Sequence, residues 1–113
     1  MLKIFHNPRC SKSRAGLNYL ITNNLEHEII DYLNINLSAN DVEKLVKQTG
    51  LQVTDLVRTQ EEYYKKNLKD NKYSNEEWYK IIAENPKLLQ RPIVIKDEKG
   101  VFAQPPEKIN DLI

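Results

Sequence analysis

The order of predicted elements indicates an α/β fold with a mixed four-stranded sheet and a helical insert. Three observations support this prediction. Within the first 32 residues, a helical pattern lies between two strand-like stretches. Near the C-terminus, two further apolar stretches are separated by a short polar turn, and the long middle segment carries only helical patterns. The two strands and the helix within the first 32 residues predict a βαβ unit with parallel strands. The two apolar stretches near the C-terminus predict an antiparallel hairpin.

The first half of the chain supplies two strands and one helix. Residues 2–5 (LKIF) predict a buried strand, because this short apolar run is followed by an Asn-Pro turn signal. A helix begins at Ser11, and its apolar residues share one face: Leu17, Leu20 and Ile21. Gly16 lies inside this helix, where a glycine costs about 1 kcal/mol relative to alanine. Residues 27–32 (HEIIDY) predict the second strand.

The middle of the chain is predicted to be helical. Ser38 can cap a helix that Gly50 ends. Residues 53–58 indicate a short helix, and residues 60–70 indicate a largely exposed one. A Ser-x-x-Glu capping box that starts at Ser74 precedes the next helix, which an Asn-Pro step ends.

The last segment returns to strands and closes with a helix. Residues 93–96 (IVIK) and 101–103 (VFA) predict a hairpin, with residues 97–100 (DEKG) as a four-residue turn. A Pro-Pro step at residue 105 opens a final helix, whose apolar residues are Ile109, Leu112 and Ile113.

This order of elements predicts a single thioredoxin-like (glutaredoxin-like) domain over residues 1–113, with a helical insert at about 36–90. In that arrangement a cis-proline directly before a strand often closes the active site. The Arg91-Pro92 step stands in that place, so we expect a cis peptide bond there, although cis bonds form only about 5–6% of X–Pro bonds in folded proteins.

The composition excludes several classes of function. The net charge is +1, from 17 basic and 16 acidic residues, which gives no electrostatic case for binding nucleic acid or an anionic membrane. No apolar run is long enough to span a membrane or to form a signal peptide, so we expect a cytoplasmic protein. One cysteine permits no internal disulfide, and one cysteine with two histidines makes a poor zinc site. We therefore expect neither a metal nor a bound cofactor.

Cys10, the only cysteine, lies between the first strand and the first helix. Ligands of open α/β sheets bind at the carboxyl ends of strands, and a helix N-terminus offers free N–H groups that favour a thiolate. Arg9 and Arg14 would favour it too if they point inward, and Ser13 supplies a nearby hydroxyl. His6 can position Cys10 or lower its pKa, or can simply cap the loop. A buried, unreactive cysteine is the alternative, and the polar neighbours argue against it.

Two familiar uses of a reactive cysteine are excluded by neighbouring residues. Ser13 occupies the position at which a CxxC pair needs its second cysteine. A low-molecular-weight phosphatase loop needs an arginine six residues after the cysteine, and Gly16 occupies that position. The thiolate must therefore be resolved by an external thiol, such as glutathione or a thiol of a partner protein.

Arginine is scarce in this chain, with four arginines against 13 lysines. This bias alone leaves two interpretations open. It can reflect an overall lysine-rich composition, or the arginines can recognise an oxyanion, because a guanidinium matches the spacing of two oxyanion oxygens and an ammonium does not.

Three segments resemble the glutaredoxin-coupled arsenate reductase family: HNPRCSKSR, LVRTQEEYY and LLQRPIVI. They carry the family's His-Asn-Pro-x-Cys loop, an arginine after a Leu-Val pair, and an Arg-Pro step before the third strand. The order and spacing agree over essentially the whole chain. The resemblance implies that Cys10 is the nucleophile, that His6 is the motif histidine, and that Arg58 and Arg91 bind the oxyanion.

The resemblance also implies a reaction. The Cys10 thiolate attacks arsenate, glutathione acts as co-substrate, and glutaredoxin is the partner whose action releases arsenite. Family members often carry a further arginine before the last helix, and here that residue is Gln104, which can donate a hydrogen bond but has no charge. Ser13, Arg14 and Gln104 complete the set of candidate substrate-binding residues.

Two other functions stay open at this point. Gln104 is consistent with a glutathione-dependent thiol reductase that acts on a different substrate. Relatives of this fold also include transcriptional regulators that bind RNA polymerase and sense redox state through CxxC. This chain lacks the second cysteine of that switch, so only a binding role without a disulfide fits.

Overall fold

The computed structural model describes all 113 residues. The strands and α-helices, in chain order, are β1 (Leu2–Phe5), α1 (Ser11–Thr22), β2 (His27–Ile30), α2 (Ala39–Thr49), α3 (Glu62–Asn67), α4 (Asn75–Glu84), β3 (Ile93–Lys96) and β4 (Lys99–Phe102). Short 3-10 helices cover Val53–Leu56, Pro86–Leu88 and Pro106–Leu112. None of the helices combines the length and apolar character that crossing a membrane requires. The chain divides into two compact units, one formed by Met1–Ile35 with Arg91–Ile113 and the other by Asn36–Gln90.

The first unit contains the sheet, whose strand order is β2-β1-β3-β4. β1 and β2 are parallel because α1 carries the chain back between them, and β1–β3 and β3–β4 are antiparallel. Ile4 in β1 is paired with Ile29 on one side and Val94 on the other. The predicted mixed four-stranded sheet is confirmed.

The core of the first unit lies between the sheet, α1 and the C-terminal 3-10 helix. Its buried apolar residues come from all three: Leu2, Ile4, Leu20, Val94, Ala103, Ile109 and Leu112. Full burial of one such Leu, Ile or Val side chain contributes roughly 1.5–3 kcal/mol. This packing fixes the start of α1 beside the end of β1, which is where Cys10 lies.

Several details of this unit differ from the prediction. Ile21 is 55% exposed although it was assigned to the buried face of α1, and Ile113 is also largely exposed. The second strand ends at Ile30 rather than at residue 32. The final helix is a 3-10 helix, and the Gln104–Pro105 bond is cis as well as the expected Arg91–Pro92 bond.

The hairpin is tighter than predicted. β4 begins at Lys99, which is paired with Lys96, so the turn consists of Asp97 and Glu98 alone. Asp97 takes a φ of 54°, a left-handed conformation that matches a two-residue turn to the twist of its strands.

The second unit is built from helices whose ends follow the predicted signals. Ser38 forms a capping box with Asp41 at the start of α2, and Gly50 ends this helix with a φ of 70°. Ser74 forms the same motif with Glu77 at the start of α4. α2 packs against α4, and both helices contact the 3-10 helix Val53–Leu56. Their shared interior consists of apolar side chains: Val42, Leu45, Val46, Val53, Leu56, Trp78 and Ile82.

Candidate active site

Cys10 is the residue that immediately precedes α1. Its backbone is extended, with φ −98° and ψ 124°, as expected of a helix N-cap. Its N–H donates to the Asn7 carbonyl at 3.0 Å, and its own carbonyl accepts from the Arg14 N–H at 3.0 Å. The thiol is free and partly exposed. The sulfur therefore lies at the positive end of a helix dipole, where a reagent from solvent can reach it.

The surroundings of Cys10 favour its thiolate. Burial is the largest influence and raises the pKa of the thiol, but it is outweighed by the Ser13 N–H, a hydrogen bond from the Arg91 side chain, the Lys12 N–H and the Arg91 charge. The net effect lowers the pKa of Cys10. The Cys10 side chain makes no cap hydrogen bond, so the two amides act on the sulfur as oriented dipoles.

The Ser13 hydroxyl organises the loop before α1. His6 Nδ1 lies 2.6 Å from Ser13 Oγ, and the Asn7 N–H donates to the same oxygen at 2.9 Å. All three residues are buried. Oγ accepts from Asn7, and it can also either donate its hydrogen to Nδ1 or accept a proton from it, so the contact joins His6 to the loop in either tautomer.

The surroundings of His6 favour its neutral form. Burial, the largest influence, lowers the pKa of His6; Asp31 and the backbone of Ser13 raise it, and Arg14 lowers it, for a net decrease. Because its Nδ1 is engaged with the Ser13 hydroxyl, His6 ties the residues that follow β1 to the first turn of α1.

The two arginines that flank Cys10 in the sequence are both exposed. Arg14 Nη1 donates to the Pro8 carbonyl at 3.0 Å, which braces the loop. The Arg9 N–H donates to Asn7 Oδ1 at 3.0 Å. The guanidinium that reaches the Cys10 sulfur comes instead from Arg91, in the segment that leads into β3.

Gly16 in α1 contacts Pro92, the residue after Arg91. A Cβ added to Gly16 would lie 2.6 Å from Pro92 Cγ, far inside the normal contact distance. Glycine thus allows α1 to approach the Pro92 ring closely. The sequence showed Gly16 only as a weak helix former, and no local pattern could have revealed this contact.

The remaining candidates lie as follows. Arg58 belongs to the unit Asn36–Gln90, where its N–H donates to the Leu88 carbonyl at 2.7 Å and its side chain pairs with Glu61. Gln104 follows β4, is exposed, and donates its N–H to the Phe102 carbonyl at 2.8 Å. No three His, Cys, Asp or Glu side chains lie together in a group that could hold a metal ion.

The role of Arg91 can be tested by the pH dependence of thiol alkylation. Wild-type protein is expected to react with iodoacetamide with a midpoint below the free-cysteine value of about 8.5. Arg91→Gln removes both a hydrogen bond to the thiolate and a nearby positive charge, so its midpoint is expected to rise. Arg9→Gln is the control, since it removes an exposed charge that does not contribute to the Cys10 pKa. An Arg91→Gln midpoint equal to that of wild type would contradict the assignment.

Comparison with known proteins gives a consistent result. The ArsC family matches residues 5–112. YfgD from Escherichia coli (strain K12) is 40% identical, over 99% of this chain and 96% of that protein. An arsenate reductase from Haemophilus influenzae is 37% identical, over 97% of each. The solved structure of an arsenate reductase from Vibrio cholerae has a TM-score of 0.92 and 36% identity, covering 99% of this chain and 97% of that one. With its three motifs, its fold and these full-length matches, the chain belongs to the ArsC family.

Proposed function

We propose that this protein reduces arsenate, with Cys10 as nucleophile, glutathione as co-substrate and glutaredoxin as partner. The observation that carries the proposal is the lone Cys10 sulfur at the start of α1 with the Arg91 guanidinium beside it. The thiolate is the attacking group, and the guanidinium and amide dipoles offer the positive potential that an oxyanion needs. The similarity to proteins named arsenate reductase supports the choice of oxyanion.

The proposed reaction balances as follows. The Cys10 thiolate attacks arsenic, an S–As bond forms, and one arsenate oxygen is protonated and leaves as water. The glutathione sulfur then attacks arsenic, and a second oxygen leaves as water. The glutaredoxin thiolate attacks the glutathione sulfur, the bond between that sulfur and arsenic breaks, and its electron pair stays on arsenic, which becomes As(III). The two external thiols have then lost two electrons and leave as one mixed disulfide. Water replaces the Cys10 sulfur on As(III), so arsenite leaves and Cys10 returns to its starting state.

External thiols are required because the chain cannot resolve the adduct by itself. Cys10 is the only cysteine, and Ser13 holds the position of a second one. The buried Ser13 hydroxyl is engaged with His6 and Asn7 and serves the loop. A reducing cytoplasm, which keeps a lone cysteine as a thiol and supplies glutathione, is the compartment that suits this chemistry.

A coupled assay tests the function. Purified protein is mixed with arsenate, glutathione, glutaredoxin, glutathione reductase and NADPH, and NADPH oxidation is followed by absorbance. We expect turnover that needs arsenate and that disappears when either glutathione or glutaredoxin is omitted. Turnover that persists without glutaredoxin would refute the proposed partner, and no turnover in the complete mixture would refute the proposed activity.

Gln104 favours a second candidate, a glutathione-dependent thiol reductase with another substrate. A neutral, exposed side chain at this position offers an oxyanion less attraction than an arginine would. Protein mixed disulfides with glutathione are the substrates to test in the same coupled assay, in the absence of arsenate. Faster turnover of such disulfides than of arsenate would favour this second function.

Replacing Gln104 by arginine measures how much the missing charge matters. We expect Gln104→Arg to lower the KM for arsenate by about three- to tenfold, since a charged hydrogen bond contributes more than a neutral one. Asn18→Arg is the control, because it adds the same charge at an exposed position on α1. An unchanged KM in Gln104→Arg would show that the residue lies outside the anion site.

A further inference from the structure

Arg58 has a carboxylate partner three residues away along the chain. Its Nη1 lies 3.5 Å from Glu61 Oε2, and the two side chains are only 14% and 25% exposed. Nη1 is buried, and no protein group accepts a hydrogen bond from it. The charge of the guanidinium is therefore balanced while part of its hydrogen-bonding capacity is unused.

The backbone holds both members of this pair. The Arg58 N–H donates to the Leu88 carbonyl at 2.7 Å, next to an antiparallel bridge between Val57 and Leu89. The Glu61 N–H donates to the Arg58 carbonyl at 3.2 Å, and the Glu61 carbonyl accepts from the Lys65 N–H at the start of α3. Glu61 is thus fixed beside Arg58 by the turn that leads into the helix.

The pair differs from the nearby pair of Glu62 and Lys66. Those side chains are 81% and 70% exposed and lie one helical turn apart on α3. An exposed pair of this kind interacts weakly, because water screens both charges. The Glu61 carboxylate is less exposed to water than these side chains are, so it interacts more strongly with a nearby charge.

We propose that Glu61 sets the anion selectivity of Arg58 by acting as its resident counter-charge. This inference rests on the proposed function and on the oxyanion-binding role that the resemblance implies for Arg58. Glu61 cancels much of the attraction that an isolated guanidinium would exert on an anion, and its repulsion grows with the charge of that anion. A doubly charged oxyanion such as arsenate therefore loses more affinity to Glu61 than a monoanion such as chloride does. Glu61 thus lowers the preference of Arg58 for doubly charged anions.

The test measures anion binding to the full chain without thiols, so that no turnover occurs. Isothermal titration calorimetry gives the Kd of arsenate, and competition by chloride gives the selectivity. We expect Glu61→Gln to tighten arsenate about five- to tenfold, because one nearby like charge is removed. Binding of chloride, which carries one charge, is expected to tighten by a smaller factor, so the preference for arsenate rises. Glu62→Gln, which neutralises the adjacent exposed carboxylate, is expected to change neither value.

Further variants show whether the effect of Glu61 depends on Arg58, and they provide a fallback if Glu61→Gln does not fold. In an Arg58→Gln background, Glu61→Gln is expected to have no effect on selectivity. If Glu61→Gln does not fold, Glu61→Asp is the substitute, because its shorter side chain moves the carboxylate away from Arg58 by the length of one methylene. It is expected to shift the selectivity in the same direction by a smaller factor. Unchanged selectivity in the folded Glu61 variants, or an equal change in Glu62→Gln, would overturn the inference.

The outcome can be separated from that of the proposed function. Anion binding measured without thiols depends neither on Cys10 nor on glutaredoxin. An enzyme that reduces arsenate but shows no Glu61 effect would refute this inference alone. A protein that shows the Glu61 effect but no arsenate turnover would refute the proposed activity alone.

Discussion

Replacing Cys10 by serine is expected to abolish arsenate-dependent NADPH oxidation, with a loss of at least about a thousandfold. A serine hydroxyl stays protonated near neutral pH unless a base removes its proton. His6, the histidine of the same loop, has its Nδ1 occupied by Ser13 and a pKa lowered by burial. The Arg91 side chain favours a group that is already an anion and cannot itself accept a proton. The Cys10→Ser protein is therefore expected to have no nucleophile.

The serine variant is also expected to fold normally, which makes the loss of activity interpretable. Cys10 occupies the N-cap of α1, where serine is among the preferred residues. Its thermal midpoint should equal or exceed that of wild type. Ser11→Ala changes the adjacent, exposed position in the first turn and should keep its activity. Undiminished turnover in a folded Cys10→Ser protein would show that the proposed mechanism is wrong.

Local signals in the sequence predicted most of the fold. A cap such as Ser38 or an end such as Gly50 acts through hydrogen bonds within a few residues, so its effect can be inferred from neighbours in the sequence. Helical periodicity identified the buried face of α1, but it did not show how many neighbouring positions of the helix are buried with it. Leu20 is fully buried and Ile21, one position further, is exposed. How far the covering layer extends depends on packing between distant segments.

Two features around Cys10 were also predicted from the order of elements. They are its position at the start of a helix and the cis bond before Pro92. The direction of Arg14 did not, since it depends on the carbonyl of Pro8 being within reach. The contact of His6 with Ser13 was not predicted either, and it involves a hydroxyl that also accepts from the Asn7 N–H. Contacts of this kind are set by three-dimensional geometry and leave no periodic pattern in the sequence.

Replacing Gly16 is expected to lower the stability of the protein. Helix propensity alone predicts that Gly16→Ala stabilises the protein by about 1 kcal/mol. The new Cβ would lie 2.6 Å from Pro92 Cγ, and a proline ring cannot rotate away as a flexible side-chain tip can. Overpacking of a tight interior costs about 1–3 kcal/mol and sometimes more. We therefore expect a net loss of up to about 2 kcal/mol for Gly16→Ala, and a loss of at least about 3 kcal/mol for the larger Gly16→Val.

Chemical denaturation measures this loss, and Gly50→Ala is the matched control. Gly50 has a φ of 70° with nothing within 4 Å of an added Cβ, so alanine there meets backbone strain without a clash. It should cost about 1 kcal/mol and leave the Cys10 alkylation midpoint unchanged. If Pro92 yields to the alanine, Gly16→Ala should instead be more stable than wild type, which would contradict the steric argument.

The same substitution is expected to change the chemistry of Cys10. Pro92 directly follows Arg91, so a displaced Pro92 ring should carry the Arg91 guanidinium away from the sulfur. The alkylation midpoint of Gly16→Ala is then expected to rise in the same direction as that of Arg91→Gln. In an Arg91→Gln background, Gly16→Ala should cause no further rise, because the interaction through which it acts is already gone. A further rise of equal size would mean that Gly16 acts on Cys10 by another route, such as the direction of the α1 amides.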